Sequence, residues 1–126
     1  MTKKHTKSEL TLEQECCNVA RQKKLVVLES PYAGDVEFNL TYARKCLLDS
    51  LRRGESPIAS HLLYTQVLND LNPDERKQGI GAGLDWLKVA EKQVFYTDLG
   101  WSEGMKKAKR AGEEIGIEIE ERKIFE

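Results

Sequence analysis

A chain of 126 residues is one domain's worth of polypeptide, long enough to bury a core without disulfide or metal staples. With 40% hydrophobic and 33% charged residues its composition is globular rather than disordered, and no run approaches the roughly eighteen apolar residues of a membrane span. Twenty Lys+Arg against twenty-one Asp+Glu leave a formal charge of -1, which excludes the basic footprint of a duplex nucleic-acid binder.

Met1 to Lys7 is basic, but no apolar segment follows, so a frayed tail is expected rather than a signal peptide. Thr11 and Gln14 form a capping box, and Leu12, Cys16, Val19 and Ala20 then recur at helical spacing as far as Lys23. Residues 1–23 therefore read as an N-terminal tail and helix, and residues 24–126 as the domain proper. Leu25 to Leu28 is a short apolar run of the kind found in strands covered on both faces. Pro31 to Gly34 break it, after which Val36, Leu40, Ala43, Leu47 and Leu51 line a helical face that Gly54 ends. Arg44, Arg52 and Arg53 form the solvated side of that helix.

Pro57 to Ser60 make a weaker strand that His61 closes, and Leu62 to Leu71 suit a further helix. Asn72, Pro73 and Glu75 supply an N-cap, an N1 proline and a capping-box acid for the helix carrying Ile80, Leu84 and Leu87 as its apolar stripe. Gly79, Gly81 and Gly83 lie within it; no strand precedes them, so they mark close packing or a ligand pressed against the helix rather than a dinucleotide fingerprint, and no cofactor is expected. Val94 to Thr97 read as the third strand, Asp98 to Glu103 as a loop, Gly104 to Ile115 as the last helix with Gly116 as its C-cap, and Ile117 to Ile124 as the closing strand. Along that strand Ile117, Ile119 and Ile124 are expected to face inward or toward a neighbour, with Glu113, Glu114, Glu118, Glu120 and Glu121 in solvent. Cys16, Cys17 and Cys46 lack metal-ligand spacing and read as reduced thiols of a cytoplasmic chain, with no metal site.

Alternating strands and helices imply right-handed crossovers and an α/β, doubly wound (flavodoxin-like or Rossmann-like), mainly parallel sheet of about four strands with helices on both faces. For strand order 2-1-3-4 the switch point lies between the first and third strands, and ligands bind outside the carboxyl ends there. The loops that meet at that point bring together Ser30, Tyr32, Gly34, Asp98, Trp101, Ser102, Gly104 and Met105, with His61 at the bordering strand end. Tyr32 or Trp101 suits stacking on a base, and the helix N-terminus at Gly104 and Met105 suits an anion. Ser102 is either a cap or a ligand contact, and His61 bonds either a ligand or a backbone carbonyl.

The segments Ser30-Pro31-Tyr32-Ala33-Gly34, Ser60-His61 and Ser102-Glu103-Gly104-Met105 resemble the nucleoside 2-deoxyribosyltransferase superfamily over about residues 24–123, in particular a subgroup of small phage and bacterial proteins. The resemblance implies a nucleoside or nucleotide ligand and a homo-oligomer in which neighbours complete each pocket. It also implies a glutamate on the last helix, six residues after the loop serine, that attacks or stabilises the anomeric carbon. Here that position is Ala108, and a methyl group cannot act as a nucleophile. Three expectations follow: binding of a nucleotide-derived molecule without catalysis, as in a phage protein that sequesters a nucleotide signal; transferase or N-glycoside hydrolase activity through Glu103 or Asp98; or an interaction module that keeps only the fold.

Overall fold

The computed structural model describes residues 24–125, so the N-terminal helix, its capping box, Cys16 and Cys17 lie outside the described residues. Strands β1 (Leu25–Glu29), β2 (Ser56–Ile58), β3 (Lys92–Tyr96) and β4 (Glu118–Arg122) form one sheet in the order β2-β1-β3-β4, with every neighbouring pair parallel. The crossovers carry α1 (Val36–Arg52), α2 (Ser60–Leu63), α3 (Pro73–Asp85) and α4 (Glu103–Ile115). This is the doubly wound α/β architecture expected from the alternation of elements, strand order included. No helix among the described residues is long and apolar enough to cross a membrane.

The period of two along a strand sorts side chains onto the two faces. Val26, Leu28, Val94 and Tyr96 pack with Tyr42 and Cys46 of α1 in one core cluster, and Cys46 is a buried free thiol. Residues of the opposite parity face α4: Gln93 donates to the Ala108 carbonyl at 3.0 Å, and the Phe95 ring lies 4.8 Å from that of Trp101. Pro57 pairs opposite Val26 on the edge strand β2, where its missing N–H costs no ladder bond.

Local chemistry sets the helix ends. The Asn72 side chain accepts from the Asp74 and Glu75 amides and Pro73 opens α3, as expected, but Glu75 reaches back to the Asn69 amide rather than to the cap. Gly116, at φ +85°, closes α4 in the left-handed region that favours glycine. Gly83 packs against Ser60, whose Oγ would stand 2.6 Å from an added Cβ, and Gly79 packs against Leu68, whereas Gly81 faces open space.

Five expectations are corrected. The segment Leu62 to Leu71 is one α-turn, a 3-10 turn at Tyr64–Gln66 and a loop, because Thr65 and Gln66 bond back to carbonyls four residues earlier and Asn69 forms a turn with the Leu71 amide. Ser60 begins α2 instead of ending β2, and Thr97 falls outside β3. Ile80 is half exposed, so the α3 stripe is only partly a core face. Glu120 is not simply in solvent. It pairs with Lys92 at 2.7 Å and with Arg122, whose guanidinium clasps the Glu55 carboxylate at 2.7 and 2.6 Å in a buried bidentate pair.

Candidate functional site

The carboxyl end of β1, the loop after it and the first turns of α2 and α4, which follow β2 and β3, enclose a cleft of about 400 Å³, closed on its far side by α3. Ser30, Tyr32, His61, Ser102, Glu103, Gly104, Met105 and Ala108 all line it. Their gathering follows from topology: each segment leaves a strand at the same sheet edge, across the switch point between β1 and β3.

Three expected residues are not brought to the cleft wall. Asp98 takes hydrogen bonds from the Tyr42 hydroxyl at 2.6 Å and from the Ile124 and Phe125 amides at 3.0 and 2.9 Å. Burial opposes its charge, but these donors outweigh burial and hold the carboxyl below its ordinary value, so Asp98 ties the end of β4 to α1. Trp101 stacks on Phe95 with the Lys109 ammonium 5.3 Å from its ring centre, and Gly34 serves the β1–α1 turn at φ +101°. Both helix-end residues have local duties: Ser102 Oγ accepts from the Met105 amide at 3.2 Å, and Met105 Sδ receives the Ser102 amide. Glu103 is exposed at the rim and pairs with Lys106 at 3.3 Å.

The sequence patterns passed over one lining residue, Glu29, and two supports behind the cleft wall, Asn39 and Gln93. Asn39, buried on α1, donates to the carbonyls of Tyr32 and Ala33 at 3.0 Å each and so fixes the loop that carries Tyr32. Ser30 Oγ and His61 Nε2 are 2.6 Å apart. Burial pulls the imidazole down from 6.5 to about 4, so His61 is neutral at physiological pH. Among the described residues nothing bonds its second ring nitrogen, so the pair lacks the orienting acid of a nucleophilic triad.

Glu29, the last residue of β1, stands beside them. Burial pushes its carboxyl up from 4.5 to about 7, against a smaller opposing effect of the 3.1 Å hydrogen bond from Gln93 Nε2. Gln93 is fully buried in β3, and its Nε2 also donates to the Ala108 carbonyl. Ala108 is thus joined through one amide to the Glu29 carboxyl group. The signal was a polar residue at each of two positions, Glu29 and Gln93, that share parity with Val27 and Phe95 in strands buried on both faces.

Residues 24–122 match the family described as a domain of unknown function, DUF7768. The chain belongs to the DUF7768 family. The match spans all four strands and every cleft residue, so the family and the site coincide along the chain. No curated protein and no solved structure matches this DUF7768 chain.

Proposed function

We propose that the cleft binds a nucleoside or a small nucleotide-derived molecule and holds it without turnover. The observation that carries this reading is the position of the cleft, at the strand carboxyl ends on the switch point of a parallel sheet, where such folds take their ligands. Its volume of about 400 Å³ suits one nucleoside-sized molecule, and Tyr32 and Tyr64 offer rings for a base. Four carboxyl groups (Glu29, Asp70, Glu75, Glu103) and two cations (Arg76, Lys107) line it, an excess of one or two negative charges depending on whether Glu29 holds its proton, which disfavours a di- or triphosphate. The resemblance to the nucleoside 2-deoxyribosyltransferase superfamily supports the same ligand class, and Ala108 on the cleft wall supports binding without glycosyl transfer.

Thermal shift with nucleosides, monophosphates, triphosphates and cyclic nucleotides tests this, since a ligand at a hundred times its Kd adds about 2.7 kcal/mol. Stabilisation by nucleosides or monophosphates supports the reading; no shift with any of them defeats it. Glu29 favours a second reading, N-glycoside hydrolysis, because a carboxyl that titrates near neutrality suits proton transfer. Chromatography of the same mixtures separates the two: released base identifies the hydrolase, intact ligand the binder. A homo-oligomer belongs to the proposal as well. Val67 and Leu71, beside the cleft residues Leu68 and Asp70, are 80% and 91% exposed, an apolar rim suited to a second copy and testable by light scattering.

A further inference from the structure

Gln93 limits what Glu29 can do. The Ala108 carbonyl can only accept, so the Gln93 amide must direct its NH2 toward it, and the same nitrogen meets Glu29 Oε2. Turning the amide over would set its oxygen against the Ala108 carbonyl oxygen. In the observed orientation Gln93 Oε1 has no partner and presses on α4, where a Cβ on Gly112 would stand 2.0 Å away. Glu29 Oε2 is therefore an acceptor whether or not the side chain is ionised, and any proton on Glu29 resides on Oε1. No described residue hydrogen-bonds Oε1, and Glu29 lines the cleft.

We propose that Glu29 Oε1 is the ligand-reading atom of the cleft: it accepts a hydrogen bond from a hydroxyl or N–H of the bound molecule, and binding displaces a proton from Glu29. This rests on the reading of the cleft as a nucleoside site and gives the ligand a direction. A phosphate on the floor would meet the carboxylate, so a neutral donor group lies innermost and any phosphate lies toward Arg76 and Lys107 at the rim. The other ionisable groups around the cleft are Tyr32 on the loop after β1, His61 on α2, Tyr64 and Asp70 in the segment after it, Glu75 and Arg76 on α3, and Glu103 and Lys107 on α4. Glu75 is engaged by the Asn69 amide and Glu103 by Lys106, and His61 stays neutral above pH 5 because its imidazole titrates at about 4. Burial thus moves Glu29 toward neutrality and His61 away from it.

The test is calorimetry of the whole chain with adenosine, guanosine, cytidine, uridine and thymidine, from about pH 5.5 to about pH 8.5, in two buffers of different ionisation enthalpy. If only the carboxylate accepts the ligand, affinity rises about thirtyfold across that range, with proton release that fades above the Glu29 titration near 7. Glu29→Gln offers the cleft an NH2, because its own oxygen must face Gln93 Nε2. It is expected to lose the pH dependence and to weaken binding at pH 8 by about tenfold or more. Nucleoside binding that is independent of pH, or equally tight in Glu29→Gln, overturns the inference and leaves the nucleoside reading intact. Absence of binding by every nucleoside overturns the inference, and absence of any thermal shift with the monophosphates and cyclic nucleotides as well defeats the ligand class.

Discussion

Replacing Glu29 by glutamine should make the protein more stable at alkaline pH, and the size of the gain follows from the desolvated carboxyl. Its folded-state pKa of about 7 lies above the ordinary 4.5, so the folded protein holds a proton that the unfolded chain has released. Between those values stability falls as pH rises, by about 1.4 kcal/mol per unit, or about 3 kcal/mol over the window. His61 works in the opposite direction. Its folded value of about 4 lies below the ordinary 6.5, the unfolded chain binds the extra proton, and stability rises with pH through that interval. The two slopes nearly cancel from about pH 4.5 to 6.5 in the wild type, leaving a net decline only from there to about pH 7. Urea denaturation at half-unit pH steps separates them. Glu29→Gln should gain stability steadily up to about pH 6.5 and exceed wild type by up to about 3 kcal/mol at pH 8, whereas His61→Gln should lose stability from about pH 4.5 to 7. Parallel wild-type and Glu29→Gln profiles would refute the claim that Glu29 is held desolvated in the folded state.

Other substitutions probe the supports. Gly112→Ala places a Cβ 2.0 Å from Gln93 Oε1 and 3.0 Å from its Cδ, so Gln93 must leave Glu29; a loss of about 2 kcal/mol or more in denaturant unfolding is expected, and a neutral result would contradict this close approach. Arg122→Ala leaves Glu55 buried without its partner and should cost about 3–5 kcal/mol by the same assay. Wild type should also lose stability as pH falls below about 4.5, because the Arg122 guanidinium holds Glu55 below its ordinary value and Glu120 down at about 2; Arg122→Ala should flatten that acid limb. Gly81→Ala, on an exposed turn of α3 with nothing within 4 Å of its Cβ, should stabilise by about 0.5–1 kcal/mol, read as a rise in Tm.

The sheet was legible because hydrophobic period, glycine stops and crossover handedness are local or generic, and together they leave few strand orders to choose from. The cleft was legible at Ser30, Tyr32, His61 and Ser102 to Met105, since any residue just past a parallel strand arrives at the same sheet edge. Nearness to a strand end does not tell where a side chain points. Asp98, two residues beyond β3, is captured by Tyr42 and by the chain after β4, contacts separated from it by 56 and 26 or 27 residues. The Arg122–Glu55 pair spans 67 residues and leaves no pattern in either segment. Glu29 was hidden differently: the apolar run before it ends at Leu28, and a glutamate that follows such a run ordinarily lies in solvent.

Ala108 and Glu29 are parts of one arrangement. A glutamate at position 108 would bring a second carboxylate to the cleft wall, next to a carbonyl already bound by Gln93 and through it to Glu29. Two like charges so close would push one carboxyl further toward its neutral form. A strand residue held by a buried amide has little freedom of position, so its protonation state, rather than its mobility, decides whether it donates or accepts. That placement is unfavourable for folding: a desolvated carboxyl with one hydrogen bond on a stiff strand end, beside an amide oxygen with none. The proposed ligand-reading role of Glu29 would account for such a cost in the wall of a cleft at the switch point.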